Sequence, residues 1–173
     1  FRPPPMNKHL SARKKWHDKA NLGGLSREET AKKILETLLR DDPTYTLFER
    51  PQQLSKIYVA KWGIVPDFAI QNNHTLKIAF FETKRQGSQG NAHERACKYF
   101  APGLQVAMSA IGGFPRPVFT IYMNGLTKDP KKVAEIAAWY DHPDWNDRYL
   151  LWANRDIETI IGYWETTVRG YLS

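Results

Sequence analysis

Ala31, Ile34, Leu35, Leu38 and Leu39 recur at the spacing of one helix face, so this stretch predicts a helix that buries one side. Ser26 and Glu29 form a capping box at its start, and Asp41-Asp42-Pro43 stops it. From Tyr45 to Phe48 alternation replaces that period and predicts a strand. Ile64 to Ile70 and Leu76 to Phe81 are β-rich runs joined through Asn72-Asn73-His74, the pattern of a hairpin. A helical stretch is expected from about Asn91 to Pro102 and a second to Ala110, before Gly112-Gly113-Phe114-Pro115 breaks the pattern. Val118 to Met123 reads as a strand. Asp129 as cap, with Pro130 in the first helical position, starts a helix through Val133, Ile136, Ala137 and Tyr140. Tyr149 to Trp152 predicts a short strand, and Ile157 to Tyr171 a closing amphipathic helix. Strands alternating with helices after an early hairpin imply an α/β fold: a mixed central sheet with helices on both faces. The chain shows no internal repeat.

Length and composition narrow the class. With 173 residues, 42% hydrophobic and 25% charged, the chain has the size of a single domain, 1–173, and enough apolar material for a packed core. Its longest apolar runs, such as Ile78-Ala79-Phe80-Phe81, fall far short of the roughly 20 residues that span a bilayer, so no membrane segment is expected. The single cysteine, Cys97, forms no intramolecular disulfide, and no signal-like apolar segment stands near Phe1, which fits a reducing cytoplasm. Lys and Arg number 25 against 18 Asp and Glu, a net charge of +7 that points to a polyanionic partner, nucleic acid ahead of a membrane surface. Residues 1–20, Pro-led and basic through Arg13-Lys14-Lys15-Trp16, read either as a flexible arm that orders against such a partner or as a solvated tail.

The segment richest in chemistry is Pro66-Asp67 followed by Glu82-Thr83-Lys84. Strand side chains alternate, so Glu82 and Lys84 project from one face, and hairpin pairing can bring Asp67 beside them. Hard Mg²⁺ takes oxygen ligands, which Asp67, Glu82 and the Thr83 carbonyl can offer, while Lys84 can orient a water and offset charge on a phosphate. Such a set suits phosphodiester hydrolysis. On their own, Glu82 and Lys84 also read as an exposed charge pair, a reading weakened by the apolar Phe80-Phe81 before them. Glu29 is a candidate helper behind the metal, although capping explains it equally well.

A second cluster is Gly90-Asn91-Ala92-His93-Glu94-Arg95. Asn and Arg can donate to adenine N7, Glu or Asn can accept from its amino group, and Gly90 and Ala92 let backbone approach a base edge closely. Its plain alternative is a helix start with mixed charges. His93 and Cys97, four apart, can share a helix face as zinc ligands, but without a second pair the expectation is a buried thiol and a partly exposed imidazole.

Trp62-Gly63-Ile64-Val65-Pro66-Asp67-Phe68-Ala69-Ile70, Glu82-Thr83-Lys84-Arg85-Gln86 and Gly90 to Arg95 with Cys97-Lys98 and Pro102-Gly103-Leu104 together resemble the type II restriction endonucleases of the PD-(D/E)XK nuclease superfamily, in the branch that contains EcoRI. Asp129-Pro130-Lys131 and Trp139-Tyr140-Asp141-His142 extend the similarity, which runs from about Tyr45 to Trp152. The resemblance implies a Mg²⁺-dependent homodimer that cuts both strands of palindromic duplex DNA and leaves 5′-phosphate ends, paired with a cognate DNA methyltransferase. It assigns Asp67 and Glu82 as metal ligands, Lys84 as the catalytic lysine, and Asn91, Ala92, Glu94 and Arg95 as readers of an AATT core. Gln89 stands where a similar member carries Arg, and the stretch from Lys84 to Gly90 is shorter, so the outer base pair is left open. Two rival classes are a DNA repair nuclease of the same superfamily without sequence preference, and a silent DNA-binding protein, disfavoured because Asp67, Glu82 and Lys84 are all present.

Overall fold

A computed structural model describes residues 27–49, 65–86, 90–153 and 156–173. Ser26 of the capping box, the basic segment 1–20, Ile64 and Gln89 lie outside the described residues.

Helix α1 (Arg27–Leu39) buries Ala31, Ile34, Leu35 and Leu39, the face its apolar spacing predicts. Strands β1 (Tyr45–Phe48), β2 (Phe68–Asn72) and β3 (Ile78–Gln86) pair antiparallel, and β4 (Val118–Asn124) and β5 (Tyr149–Trp152) add in parallel. Among the described residues they form one five-stranded sheet in sequential order, with β3 at its centre. A 3-10 helix (Ala92–Phe100) and α2 (Pro102–Gly112) cross from β3 to β4; α3 (Gly125–Lys128) and α4 (Pro130–Trp139) cross from β4 to β5. The closing helix runs as α5 (Ile157–Tyr163), a π-helical turn (Trp164–Val168) and α6 (Arg169–Tyr171).

Alternation along β3 divides the core between two faces. Ala79 and Phe81 pack with α1, Ile160, Trp164 and Val168 on one side, where Phe81 stacks on Phe68 at 4.7 Å. Ile78 and Phe80 pack with Tyr99, Leu104 and Met108 on the other, beside a cluster of Ala96, Tyr122, Leu126, Ile136 and Tyr140. Glu82 and Lys84 continue the second side and Thr83 the first. The mixed sheet with helices on both faces is therefore as the sequence predicts.

Several boundaries differ. The strand expected over Ile64 to Ile70 starts only at Phe68, leaving Pro66 and Asp67 ahead of it, and runs on to Asn72. Asn72 is held there because its Nδ2 donates to the Leu172 carbonyl and its Oδ1 accepts from the His74 and Thr75 amides. Leu76, expected to open the next strand, sits in the turn with φ of 64°. β3 extends to Gln86 because β4 pairs with it up to Gln86↔Asn124, a long-range partner with no local signal. Gly112 allows close packing: a Cβ there would stand 2.9 Å from the Ile78 carbonyl oxygen, and Gly113 ends the helix in the left-handed region at φ 79°.

Candidate active site

The antiparallel ladder between β2 and β3 closes with the Asp67 amide donating to the Phe81 carbonyl at 2.9 Å. Beyond that point β2 offers no further backbone acceptor, so the next inward-facing amide of β3 needs another partner. The Asp67 side chain supplies it. Its Oδ2 accepts from the Thr83 amide at 2.6 Å and from the Thr83 hydroxyl at 2.7 Å, which fixes the carboxylate at the mouth where the strands part. Asp67 is exposed, and with Glu29, Lys32, Phe68 and Thr83 it lines a cleft of about 160 Å³. Glu29 thus stands on the same cleft as Asp67.

Glu82 and Lys84, two apart on β3, face one side of the sheet, with Lys84 Nζ 3.2 Å from Glu82 Oε1. Glu82 is buried, and its Oε2 accepts from the Tyr99 hydroxyl at 2.5 Å. Burial first, and then the negative charge of Asp67, push the Glu82 carboxyl above its usual range; the Tyr99 hydrogen bond, Lys84 and Lys98 oppose that shift. Burial and the same carboxylate push the Tyr99 phenol far above its ordinary value, so it remains a donor at working pH. Tyr99 carries no motif signal; 17 residues separate it from Glu82, and only the turn of the 3-10 helix against β3 joins them.

The donor set fits a divalent cation. Two carboxylates repel each other across the mouth, Asp67 Oδ1 makes no hydrogen bond among the described residues, and each Glu82 oxygen keeps a lone pair beyond its one partner. Among the described residues no three Asp, Glu, His or Cys side chains cluster, so backbone carbonyl and water oxygens would complete the shell, the usual condition for Mg²⁺.

Arg85, near the end of β3, and Asn91, Ala92, Glu94 and Arg95 beyond it line one open cavity of about 570 Å³. Arg85 belongs to this wall although the spacing argument did not single it out. Gly90 is half-buried just before it. The helix expected from Asn91 is a 3-10 helix, so residues three apart share a side: His93, Ala96 and Tyr99 are buried while Glu94 and Arg95 are exposed. The expectation for His93 and Cys97 is reversed. His93 is the buried member, 1% exposed, covered by Trp139 and hydrogen-bonded to Glu135, and Cys97 is only partly buried. Asp129-Pro130-Lys131 proves to be a helix cap, with the Asp129 carboxylate accepting from the Lys131 amide at 3.0 Å. No helix among the described residues is long and apolar enough to cross a membrane.

Comparison with known proteins fits this geometry. The family described as type II restriction enzyme MunI matches residues 59–173. The type II restriction enzyme MunI of Mycoplasma sp is 32% identical over 199 residues, covering 94% of this chain and 97% of that protein. The crystal structure of MunI restriction endonuclease in complex with cognate DNA superposes with a TM-score of 0.75 at 31% identity, over 91% of this chain and 97% of that one. Sheet, acidic mouth and relatives together define a type II restriction endonuclease, a site-specific deoxyribonuclease. Within that class, the chain belongs to the MunI family.

Proposed function

We propose that this enzyme hydrolyses duplex DNA at a palindromic site with an AATT core, using Mg²⁺ held by Asp67, Glu82 and the Thr83 carbonyl, and leaving 5′-phosphate ends. The observation that carries the reading is one continuous stretch of β3. Thr83 holds Asp67, Glu82 pairs with Lys84, and Arg85 then opens the cavity lined by Asn91, Ala92, Glu94 and Arg95. Acid groups and base-reading groups are thereby neighbours along a single strand and the helix that follows it.

A divalent ion bound there supplies Lewis-acid activation and offsets phosphate charge. The chain's own groups do the positioning. Lys84, mostly buried against Glu82, presents its ammonium to hold a water and stabilise negative charge on the phosphate. Water oxygen attacks phosphorus, the bond from phosphorus to the 3′ oxygen breaks, and that oxygen leaves with a proton while the phosphate stays on the 5′ side. Asn91, Glu94 and Arg95 supply donors and acceptors for adenine edges in the major groove, Gly90 and Ala92 give close backbone approach, and Gln89, next to them in the sequence, leaves the outer base pair open. A palindromic site calls for a two-fold pair of subunits, so the working unit is a homodimer. A DNA methyltransferase of the same system would protect host sites in the shared cytoplasm. The test is Asp67→Asn, which keeps an acceptor for Thr83 but removes the charge. Plasmid cleavage in Mg²⁺ should be lost with DNA binding retained; cleavage near the parent rate overturns the metal assignment.

A further inference from the structure

We propose that α4 is a brace that fixes the segment 90–95 against the sheet, so that Lys132, Glu135 and Trp139 set how sharply the enzyme discriminates its site. The proposal rests on the reading of Asn91, Glu94 and Arg95 as base-contacting residues.

The three residues stand at positions i, i+3 and i+7 of α4, on one side of that helix. Each meets the segment. Lys132 Nζ donates to the Gly90 carbonyl at 2.6 Å. Glu135 Oε2 lies 3.1 Å from His93 Nε2, and the carboxylate selects the tautomer in which that nitrogen donates. The Trp139 ring stacks on the His93 imidazole with centroids 5.1 Å apart and planes 11° from parallel. These contacts bridge more than 40 residues of sequence.

Their burial separates them from ordinary surface pairs. Lys132 is only 8% exposed, and an ammonium taken that far from water is costly unless it is hydrogen-bonded. His93 is 1% exposed and its Nδ1 has no hydrogen-bond partner, so among the described residues the ring's hydrogen bond is the one to Glu135, with Trp139 stacked on its face. The next residues along the same 3-10 helix, Glu94 and Arg95, turn outward into the cavity. Further on, Ala96 packs with Ile136 of α4, and Tyr99 reaches Glu82. Anchors therefore point inward and readers outward on one short helix. Bidentate reading of a base edge demands placement within about 0.5 Å, which exposed side chains on an unsupported segment do not provide. A segment free to shift would still bind phosphate by charge, but it would accept wrong bases.

Three variants test this. Lys132→Met keeps an unbranched stem and removes the donor, Lys132→Arg keeps a cationic donor, and Glu135→Ala frees His93. The parent's preferred site is read from a library digest with Mg²⁺, and kcat/KM is then measured on that site and on every single-base neighbour. Lys132→Met and Glu135→Ala should each lower the ratio of preferred to neighbouring sites by at least about tenfold, the value of one good base contact, while Lys132→Arg keeps most of it. A partly unfolded preparation cuts all the duplexes in proportion, so loss of stability alone leaves the ratio unchanged. An unchanged ratio in both Lys132→Met and Glu135→Ala overturns the proposal. If the parent prefers a site without AATT and the variants still lose discrimination, the brace stands and the AATT reading falls. Equal cutting of all duplexes by the parent overturns both.

Discussion

Tyr99→Phe removes one hydroxyl and leaves the ring among Phe80, Leu104 and Met108, so its effect isolates the hydrogen bond to Glu82. A hydrogen bond to a charged group contributes about 1.5–3 kcal/mol. For a chain of this size 1 kcal/mol moves the thermal midpoint by about 2–4 °C, so the metal-free variant should melt about 3–12 °C below its parent at pH 8. The pH dependence follows from Glu82. Burial and Asp67 raise its folded pKa, so metal-free stability is fully present below the unfolded carboxylate value of about 4.3 and is lost progressively as pH rises from there through the folded value. The Tyr99 hydroxyl limits that loss, so the gap between variant and parent should widen from pH 5 to pH 8. Charge-assisted hydrogen bonds are roughly twice as strong as neutral ones, and in a Glu82→Gln background the cost of Tyr99→Phe should therefore fall by about half. Thermal unfolding followed by circular dichroism in EDTA, on the parent, both single variants and the double variant at the two pH values, measures all of this. A cost that is equal in both backgrounds and independent of pH refutes the claim that Tyr99 stabilises an ionised Glu82.

Lys84→Ala should bind its DNA while losing at least about two orders of magnitude in single-turnover rate, the usual cost of removing a group that acts on water and phosphate; binding that vanishes with cleavage would make the lysine structural. Gly112→Ala should destabilise the protein by about 1–3 kcal/mol in urea unfolding, because the added methyl meets the Ile78 carbonyl and Pro117 with no room to yield; an unchanged midpoint would show that α2 can shift.

What could be read from the sequence was whatever local pattern determines. The face of α1, strands β4 and β5, the cap at Asp129 and the Glu82-Thr83-Lys84 triplet all follow from spacing within a few residues. Misjudged features depend on distant partners. Asn72 joins β2 because Leu172, a hundred residues on, takes its side-chain amide. His93 is buried because α4 covers it, and the strand starts at Phe68 because the two strands part there, so that the Asp67 side chain, rather than its carbonyl, serves Thr83. Tyr99, Arg85 and Lys132 were invisible as site residues for the same reason: their roles exist only once β3, the 3-10 helix and α4 are brought together.

Cutting of duplex DNA at AATT-centred sites is the proposed activity of this chain. A randomised plasmid library digested in Mg²⁺, with all ends sequenced and a parallel digest of library N6-methylated at the inner adenine, tests it most directly. Breaks with 5′-phosphate ends that all share AATT are expected, and no cutting of methylated sites, because the methyl group occupies the amino proton position that Glu94 or Asn91 would use. Ends with no common AATT, or methylated and unmethylated sites cut at equal rates, would contradict it.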